Sequence, residues 1–490
     1  HRDLHLSLRR QRQMCIRDSF RSGPCRGRQS PGPDKLLKAS LFRKQAIITQ
    51  EQHIMEDSIQ SDRRRFLKTS GVAAAAASLP VASHAQVEGK SEIKVALVGC
   101  GGRGNYLAGL FKNSPSVKLS WLCDANEKRL GSAISIPSEK PKTCSDMREM
   151  LDDDDLDAVI VATPDHWHSP AAILACDAGK HVYVEKPCSH NVREGRLLVE
   201  AAKRNNVIVQ HGTQVRSTTM LIDAMKLLRD GIIGDVKVVK AWNIQRRGNI
   251  GHQQPSDPPD HLDYDLWVGP CEMIPYQNNR VNGGWHWWYH FGTGDMGNDG
   301  VHDIDYARWA LGVETHPSKV TAVGGKYFFD DDQEFPDTQQ VAFEYPGDGE
   351  TGSQRILIYE QRLWSTNYPH NTDSGVEVYG TKGQMYLSRR GKIQVLGERN
   401  AKIDVDIAPE AQNAPKHVAN FLDCVRTGKT PNADIDIGHL TSSLCHLGNI
   451  AVRLGRSFDF DPATESVPMD QEVNELLGRR YREHWGNPVA

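Results

Sequence analysis

The chain has 490 residues, a formal net charge of -3, 38% hydrophobic residues and 25% charged residues, the balance of an ordinary globular protein. It carries no basic stripe, which excludes a nucleic-acid partner. No apolar run of membrane length follows residue 85, which excludes stable membrane insertion, and the part from Gln86 onward is long enough for two domains.

Residues 1–54 have no apolar period and are expected to be a disordered leader or an assembly artefact. Within them, QRQMCIRDS (Gln11 to Ser19) resembles the in-frame translation of a transposon end used to prepare sequencing libraries, so Met55 is the expected start. Residues 55–85 hold a basic cluster, DRRRFLK (Asp62 to Lys68), then a short apolar run and a small-residue end at Ser83-His84-Ala85. These are the three parts of a secretory signal. The arginines ahead of Phe66, Leu67 and Lys68 resemble a twin-arginine export signal. That implies the twin-arginine machinery as a partner, cleavage after Ala85 and a periplasmic or otherwise exported location. Cargo of that route folds before export. Eight of the ten cysteines lie beyond the leader without a C-x-x-C pair, and they are expected to be free and buried.

The first domain is expected over residues 91–213. Ile93 to Val98 reads as a parallel strand buried on both faces. Gly99-Cys100-Gly101-Gly102-Arg103-Gly104 follows as G-x-G-x-x-G. Gly99 allows the tight turn, Gly101 lets backbone approach a pyrophosphate, and Gly104 lets the next helix pack close. Val117 to Cys123 is a second strand ending in Asp124, an acid suited to the adenosine ribose hydroxyls. The cofactor is therefore read as NAD, with NADP open through Lys128 or Arg129. Further strands are expected at Asp157 to Ala162, His181 to Glu185 and Val207 to Gln210, with helices at Ser169 to Ala178 and Asn191 to Asn205. This is a doubly wound parallel sheet. TPDHWH (Thr163 to His168) and EKP (Glu185 to Pro187) fall at the strand ends where ligands bind.

The second domain is expected over residues 214–490, an α/β unit with an open, largely antiparallel sheet. Arg246 to Pro270 is a long polar stretch without period, often a mark of function. GGWHWWYHFGTGD brings Trp285, Trp287, Trp288 and Tyr289 together, rings suited to the apolar faces of a carbohydrate. Strands follow at Lys319 to Gly324, Gln339 to Tyr345 and Ser353 to Glu360, a hairpin at VEVYGTKGQMYLS, and helices at Asn413 to Arg426 and Ile437 to Leu454. His166, His168, His286, His290 and His302 lack the partner spacing of a metal site, so no metal is expected.

Five motifs in order resemble the Gfo/Idh/MocA family of oxidoreductases: the glycine loop, ATPDHWH, VYVEKP, GTQVRS (Gly212 to Ser217) and GDMGNDGVHDIDYARWALG (Gly294 to Gly312). The resemblance implies a Rossmann domain followed by an α/β domain whose open sheet faces the nicotinamide. It implies catalysis by Lys186 and His302, with Asn298 where the family carries an acid. It adds Gly102, Arg103, Thr163, Pro164, His168, Glu185 and Lys186 to the cofactor site, and Asp299 and Arg216 to Trp285, Trp287 and Tyr289 at the substrate site. The expected function is NAD(P)-dependent oxidation of a sugar, cyclitol or glycoside hydroxyl by a homo-oligomer. The alternative is a glycosidase that oxidises, eliminates, hydrates and reduces again. A binding protein without turnover is disfavoured by Lys186 and His302 together.

Overall fold

The computed structural model describes residues 91–281 and 283–482. The leader and the export signal lie outside the described residues. The first sheet holds β1 (Ile93–Val98), β2 (Val117–Cys123), β3 (Lys142–Cys144), β4 (Ala158–Val161), β5 (His181–Val184) and β6 (Val209–His211). Every pairing is parallel, in the order β3-β2-β1-β4-β5-β6. That is the doubly wound order with its crevice at the β1/β4 switch point. All residues of β4 and β5 are buried, as both-face coverage by helices requires.

Helices α1 (Gly102–Lys112), α2 (Asp165–Asp177) and α3 (Val192–Asn205) belong to this half. α2 starts four residues before the expected Ser169. Pro170 reads as a first-turn proline, yet it sits inside the helix. A proline there cannot donate to the carbonyl four residues back. That carbonyl, on His166, accepts instead from Arg479 Nη2 at 2.7 Å. A distant arginine thus lets the helix run through its proline and puts DHWH into the first turn.

The second sheet holds β7 (Val236–Asn243), β8 (Lys319–Gly325), β9 (Thr338–Tyr345), β10 (Arg355–Arg362), β11 (Ser374–Gly380), β12 (Gly383–Ser388), β13 (Lys392–Leu396), β14 (Lys402–Ile403) and β15 (Phe458–Asp459). Its order is β14-β13-β12-β11-β7-β10-β9-β8-β15. Within this sheet, among the described residues, only the β7/β10 pairing is parallel. β9 alternates buried and open residues, the pattern of a sheet packed on one face. That face buries Val239, Leu357, Tyr359 and Val376 in one core with Ile304 and Ala307 of α4 (Val301–Leu311) and Leu444 and Leu447 of α5 (Ile435–Leu454). The eight cysteines of the described residues are free and buried.

Arg216 does not reach the substrate cleft. Its guanidinium pairs with Asp305 of α4 at 2.8 Å, with side-chain exposures of 6% and 0%, and lies over the Trp309 ring. Thr441 of α5 donates to the same carboxylate at 2.9 Å. The arginine of GTQVRS is therefore a clamp between the end of the first sheet and α4. Removing one partner of such a pair leaves a buried charge and costs about 3–5 kcal/mol. Asp305→Ala is expected to lower unfolding stability by that amount, read from the urea midpoint. A change below about 1 kcal/mol, the range of exposed pairs, would show that the clamp contributes little.

Candidate cofactor and substrate site

β1 delivers the chain to Gly99, whose φ is +94° and whose Cβ would lie 2.5 Å from the Ala162 carbonyl oxygen. Gly104, in the first turn of α1, passes so close to the turn that a Cβ would meet the Gly99 oxygen at 1.8 Å. The two glycines bring the start of α1 against the strand ends, and Gly101 and Gly102 open its first amides toward a cavity. Asp124 holds the turn in place. Its carboxylate accepts from Cys100 N–H at 2.7 Å and from Asn126 N–H at 2.8 Å. Burial raises its pKa, opposed by those two amides and Arg129.

The cavity, about 580 Å³, is lined by Gly99 to Arg103, by Asp124, Lys128 and Arg129, by Thr163, Pro164 and Trp167, and from the second domain by His261, Trp267 and Trp285. Thr163 Oγ1 and Asn105 Oδ1 are buried there without a hydrogen-bond partner. A helix N-terminus, an acid at the end of β2 and unsatisfied polar atoms along the wall fit a dinucleotide.

Two expected cofactor residues, Glu185 and His168, sit behind this wall. Arg103 Nε bonds Glu185 Oε1 at 2.7 Å, and Glu185 is 3% exposed. Burial would raise the Glu185 pKa, but Arg103 and Lys186 hold it below the usual value. His168 places Nδ1 2.5 Å from the Pro187 oxygen and Nε2 2.9 Å from the Thr163 oxygen. Glu185 therefore ties the glycine loop to EKP, and His168 ties TPDHWH to EKP.

The catalytic candidates meet beside that junction. Lys186 Nζ bonds the main-chain oxygen of Asn298 and its Oδ1, the latter at 3.2 Å. Asn298 lies in a π-helical turn, Met296–Gly300, that runs into α4, a device that often marks functional sites. Its amide donates to Asp295 Oδ1 at 3.1 Å. Asp295, 1% exposed, also accepts from Arg247 at 2.7 Å and Asn243 at 2.8 Å. Asp299 pairs with Arg247 at 3.1 Å and with Arg389 at 2.7 Å. Burial would raise the Asp299 pKa, but the charges of Arg389 and Arg247 hold it well below the ordinary range. Burial lifts Asp303 to about 7. His302 is buried with no partner on Nδ1. Burial, then the positive charges of Arg389 and Lys186, push its pKa well below the ordinary value.

Sequence reasoning missed Arg247, Arg389 and His286. Arg247 lies in the polar stretch already marked as functional. Arg389 follows a hairpin with no local signal. His286 is pushed down to about 3 by burial and by the charges of Arg247 and Lys186. The aromatic cluster divides. Trp285 is half-buried and lines the cavity. Trp287 is 4% exposed in an apolar cluster with Trp267 and Phe291, so it packs instead of binding. Tyr289 faces a separate cavity, under the Arg453 guanidinium. Among the described residues one group of metal-capable side chains converges, His316, His439 and Glu465, away from this site. Arg196 already pairs with that carboxylate at 2.5 Å.

The profile of the oxidoreductase-family NAD-binding Rossmann fold matches residues 93–213, and that of the family's C-terminal alpha/beta domain matches residues 217–487. The chain belongs to the Gfo/Idh/MocA oxidoreductase family. A twin-arginine translocation signal matches residues 60–80, so this family member is exported by that route. It is similar to scyllo-inositol 2-dehydrogenase (NAD(+)) of Bacillus subtilis, 26% identical over 363 residues, covering 70% of this chain and 90% of the relative. It is also similar to glycosyl hydrolase family 109 protein 2 of Shewanella sp. strain ANA-3, 31% identical over 204 residues, 36% of this chain and 44% of that one. The fold is shared with the WlbA dehydrogenase of Bordetella pertussis, solved with NADH and UDP-GlcNAcA, at TM-score 0.56 and 21% identity, covering 76% and 99% of the two chains. It is shared as well with aldose-aldose oxidoreductase of Caulobacter crescentus, at TM-score 0.57 and 20% identity, covering 75% and 100%. The first domain is thus an NAD-binding Rossmann domain.

Gly104→Ala places a methyl group where the Gly99 oxygen stands. It is expected to cost about 3 kcal/mol, the upper end of ordinary overpacking, shared between stability and nucleotide affinity. Paired urea melts and NADH titrations check this, and a variant matching the parent in both would refute the close approach.

Proposed function

We propose that this family member oxidises the CH–OH group of a sugar, cyclitol or glycoside with a tightly held NAD cofactor. The observation that carries the reading is Lys186, at the end of β5, bonded to Asn298 and close enough to His302 for its charge to act on it, and joined through neighbouring Glu185 and Arg103 to a cavity fitted to a dinucleotide. We place cofactor binding in residues 91–213, and substrate and subunit contacts in residues 214–490. Bound NAD supplies a hydride acceptor for the carbinol carbon. Lys186 holds the hydroxyl and stabilises the oxyanion that develops on it. His302, kept neutral by burial and by Arg389 and Lys186, takes the hydroxyl proton on an imidazole nitrogen. Asn298 bears no charge, and its role is to aim the Lys186 ammonium. Asp295 and Asp299 balance Arg247 and Arg389, which keeps the centre from accumulating unpaired positive charge.

Support for a polyol or sugar substrate comes from the inositol dehydrogenase relative and from Trp285 on the cavity wall. NADP stays open because Lys128 and Arg129 both line the cavity. A homo-oligomer is supported by the sheet face opposite α4 and α5, where Val323 and Ile356 are exposed. The glycosidase reading draws on the family 109 relatives and on export, because a redox-neutral cycle restores its own cofactor. Aryl-glycoside cleavage separates the two readings.

Lys186→Met is expected to lower kcat/KM by about 10²–10⁴-fold, the range of a lost acid–base group, while the protein keeps its nucleotide. Near-parental turnover would remove Lys186 from the reacting centre. The pH profile gives a second check. A depressed folded pKa leaves His302 neutral through the ordinary imidazole range, so in an Asp303→Asn variant, which removes the neighbouring group lifted to about 7, kcat/KM for oxidation should stay level from about pH 8 down to about pH 6. A fall centred near pH 6.5, the ordinary imidazole value, would mean that His302 is not held low or is not the base.

A further inference from the structure

We infer that residues His261 to Gly269 of the second domain form a strap that gates entry and release of the dinucleotide. The inference rests on the reading of a retained cofactor and says which residues retain it. The strap walls the cavity and is fastened on both sides. On the adenosine side, Leu262 and Asn126 form an antiparallel bridge. Glu127 N–H donates to the His261 oxygen at 3.0 Å, and Asp263 N–H donates to the Ala125 oxygen at 3.0 Å. These partners directly follow Asp124, the expected ribose contact. On the other side, the Trp267 oxygen accepts from Trp167 Nε1 at 3.1 Å and lies 2.9 Å from His166 Nε2. Gly269, at φ +55°, lets the backbone lie against Trp167, where a Cβ would fall 2.2 Å from the indole.

The strap has its own rigidity. Asp263 caps the short helix Tyr264–Val268, accepting from Leu266 N–H at 2.9 Å. The Trp267 ring packs on Phe291 with centroids 4.7 Å apart. Arg482 donates to the Gly269 oxygen at 2.7 Å. His261, Leu266 and Trp267 line the same cavity as the glycine loop. None of the fastening bonds requires a bound nucleotide, because both partners of each belong to the protein. They act on the barrier to passage in either direction more than on affinity.

This yields a kinetic signature. Glu127 is the first residue of the helix Glu127–Ala133, and Asn126 before it is extended. Proline is well tolerated at such a position, so Glu127→Pro deletes the N–H that fastens His261 without disturbing the helix. Trp167→Phe keeps an aromatic wall and deletes the second fastening donor. Each variant loses one hydrogen bond, about a five-fold effect. Parent and variants are loaded with NADH and mixed with excess NAD⁺, and the decay of bound-NADH fluorescence gives the release rate. Stopped-flow mixing with NADH gives the entry rate. Release and entry should both quicken about five-fold in each variant, and about twenty-five-fold in the double variant if the sites add, and in Glu127→Pro, whose residue does not line the cavity, Kd should change by less than about two-fold. Unchanged release rates in both variants would overturn the strap. So would faster release with unchanged entry, since that is only a weakened site. A parent that releases NADH within seconds would instead overturn cofactor retention, and the ratio of variant to parent rates would still decide the strap.

Discussion

The close approach of α1 to the end of β1 is the constraint on which the rest of the site depends. Gly104 lies where no side chain fits, against the Gly99 oxygen, and that contact sets where the first amides of α1 open. Asp124 then fastens the turn through Cys100 N–H. Arg103, one residue before Gly104, reaches Glu185, and so links the turn to the segment that carries Lys186. His168 fixes the same segment from the other side through Pro187. Phosphate cradle and reacting group are thus held in one hydrogen-bonded frame. A shift of the glycine turn would move both.

Charge balance is the second organising theme. Lys186 and Arg389 act on His302, Arg247 lies beside Asp299, and Asp295 and Asp299 answer the two arginines. Burying so many charges is costly unless each is paired, and the π turn at Met296–Gly300 carries Asn298 and Asp299 to different partners. Asn298 thereby takes part in a relay. Asp295 holds the amide, and the amide holds the lysine. The neutrality of His302 comes from burial and its cationic neighbours.

Much of this was legible in the sequence, for reasons that can be named. Parallel strands buried on both faces must be nearly continuous in apolar residues, and β1, β4 and β5 are. The glycine spacing and Asp124 report backbone geometry directly, so they read well. The start of α2 was misplaced because Pro170 is compensated by Arg479, more than three hundred residues away, and no local pattern records such a partner. Arg216 looked like a ligand contact because its motif adjoins the site, yet a buried acid, Asp305, claims it. Trp285, Trp287 and Tyr289 are equivalent on paper, and only the path of the loop sends them to the cavity wall, the apolar cluster and a separate cavity. The clustering of Arg247 and Arg389 needs the second sheet to be assembled first.

Export and a nucleotide fold are compatible when the cofactor is loaded before passage and stays bound. The twin-arginine signal at residues 60–80 supplies the route for folded cargo, and the cavity walled by both domains supplies the means. Retention at nanomolar strength corresponds to about -12 kcal/mol of binding free energy. The most direct test is to recover the exported protein, denature it, quantify the released nucleotide, and assay turnover with and without added NAD. Near-stoichiometric NAD(H) or NADP(H), with turnover that needs no addition, is the expected result. An empty protein that turns over only with excess free NAD would contradict it.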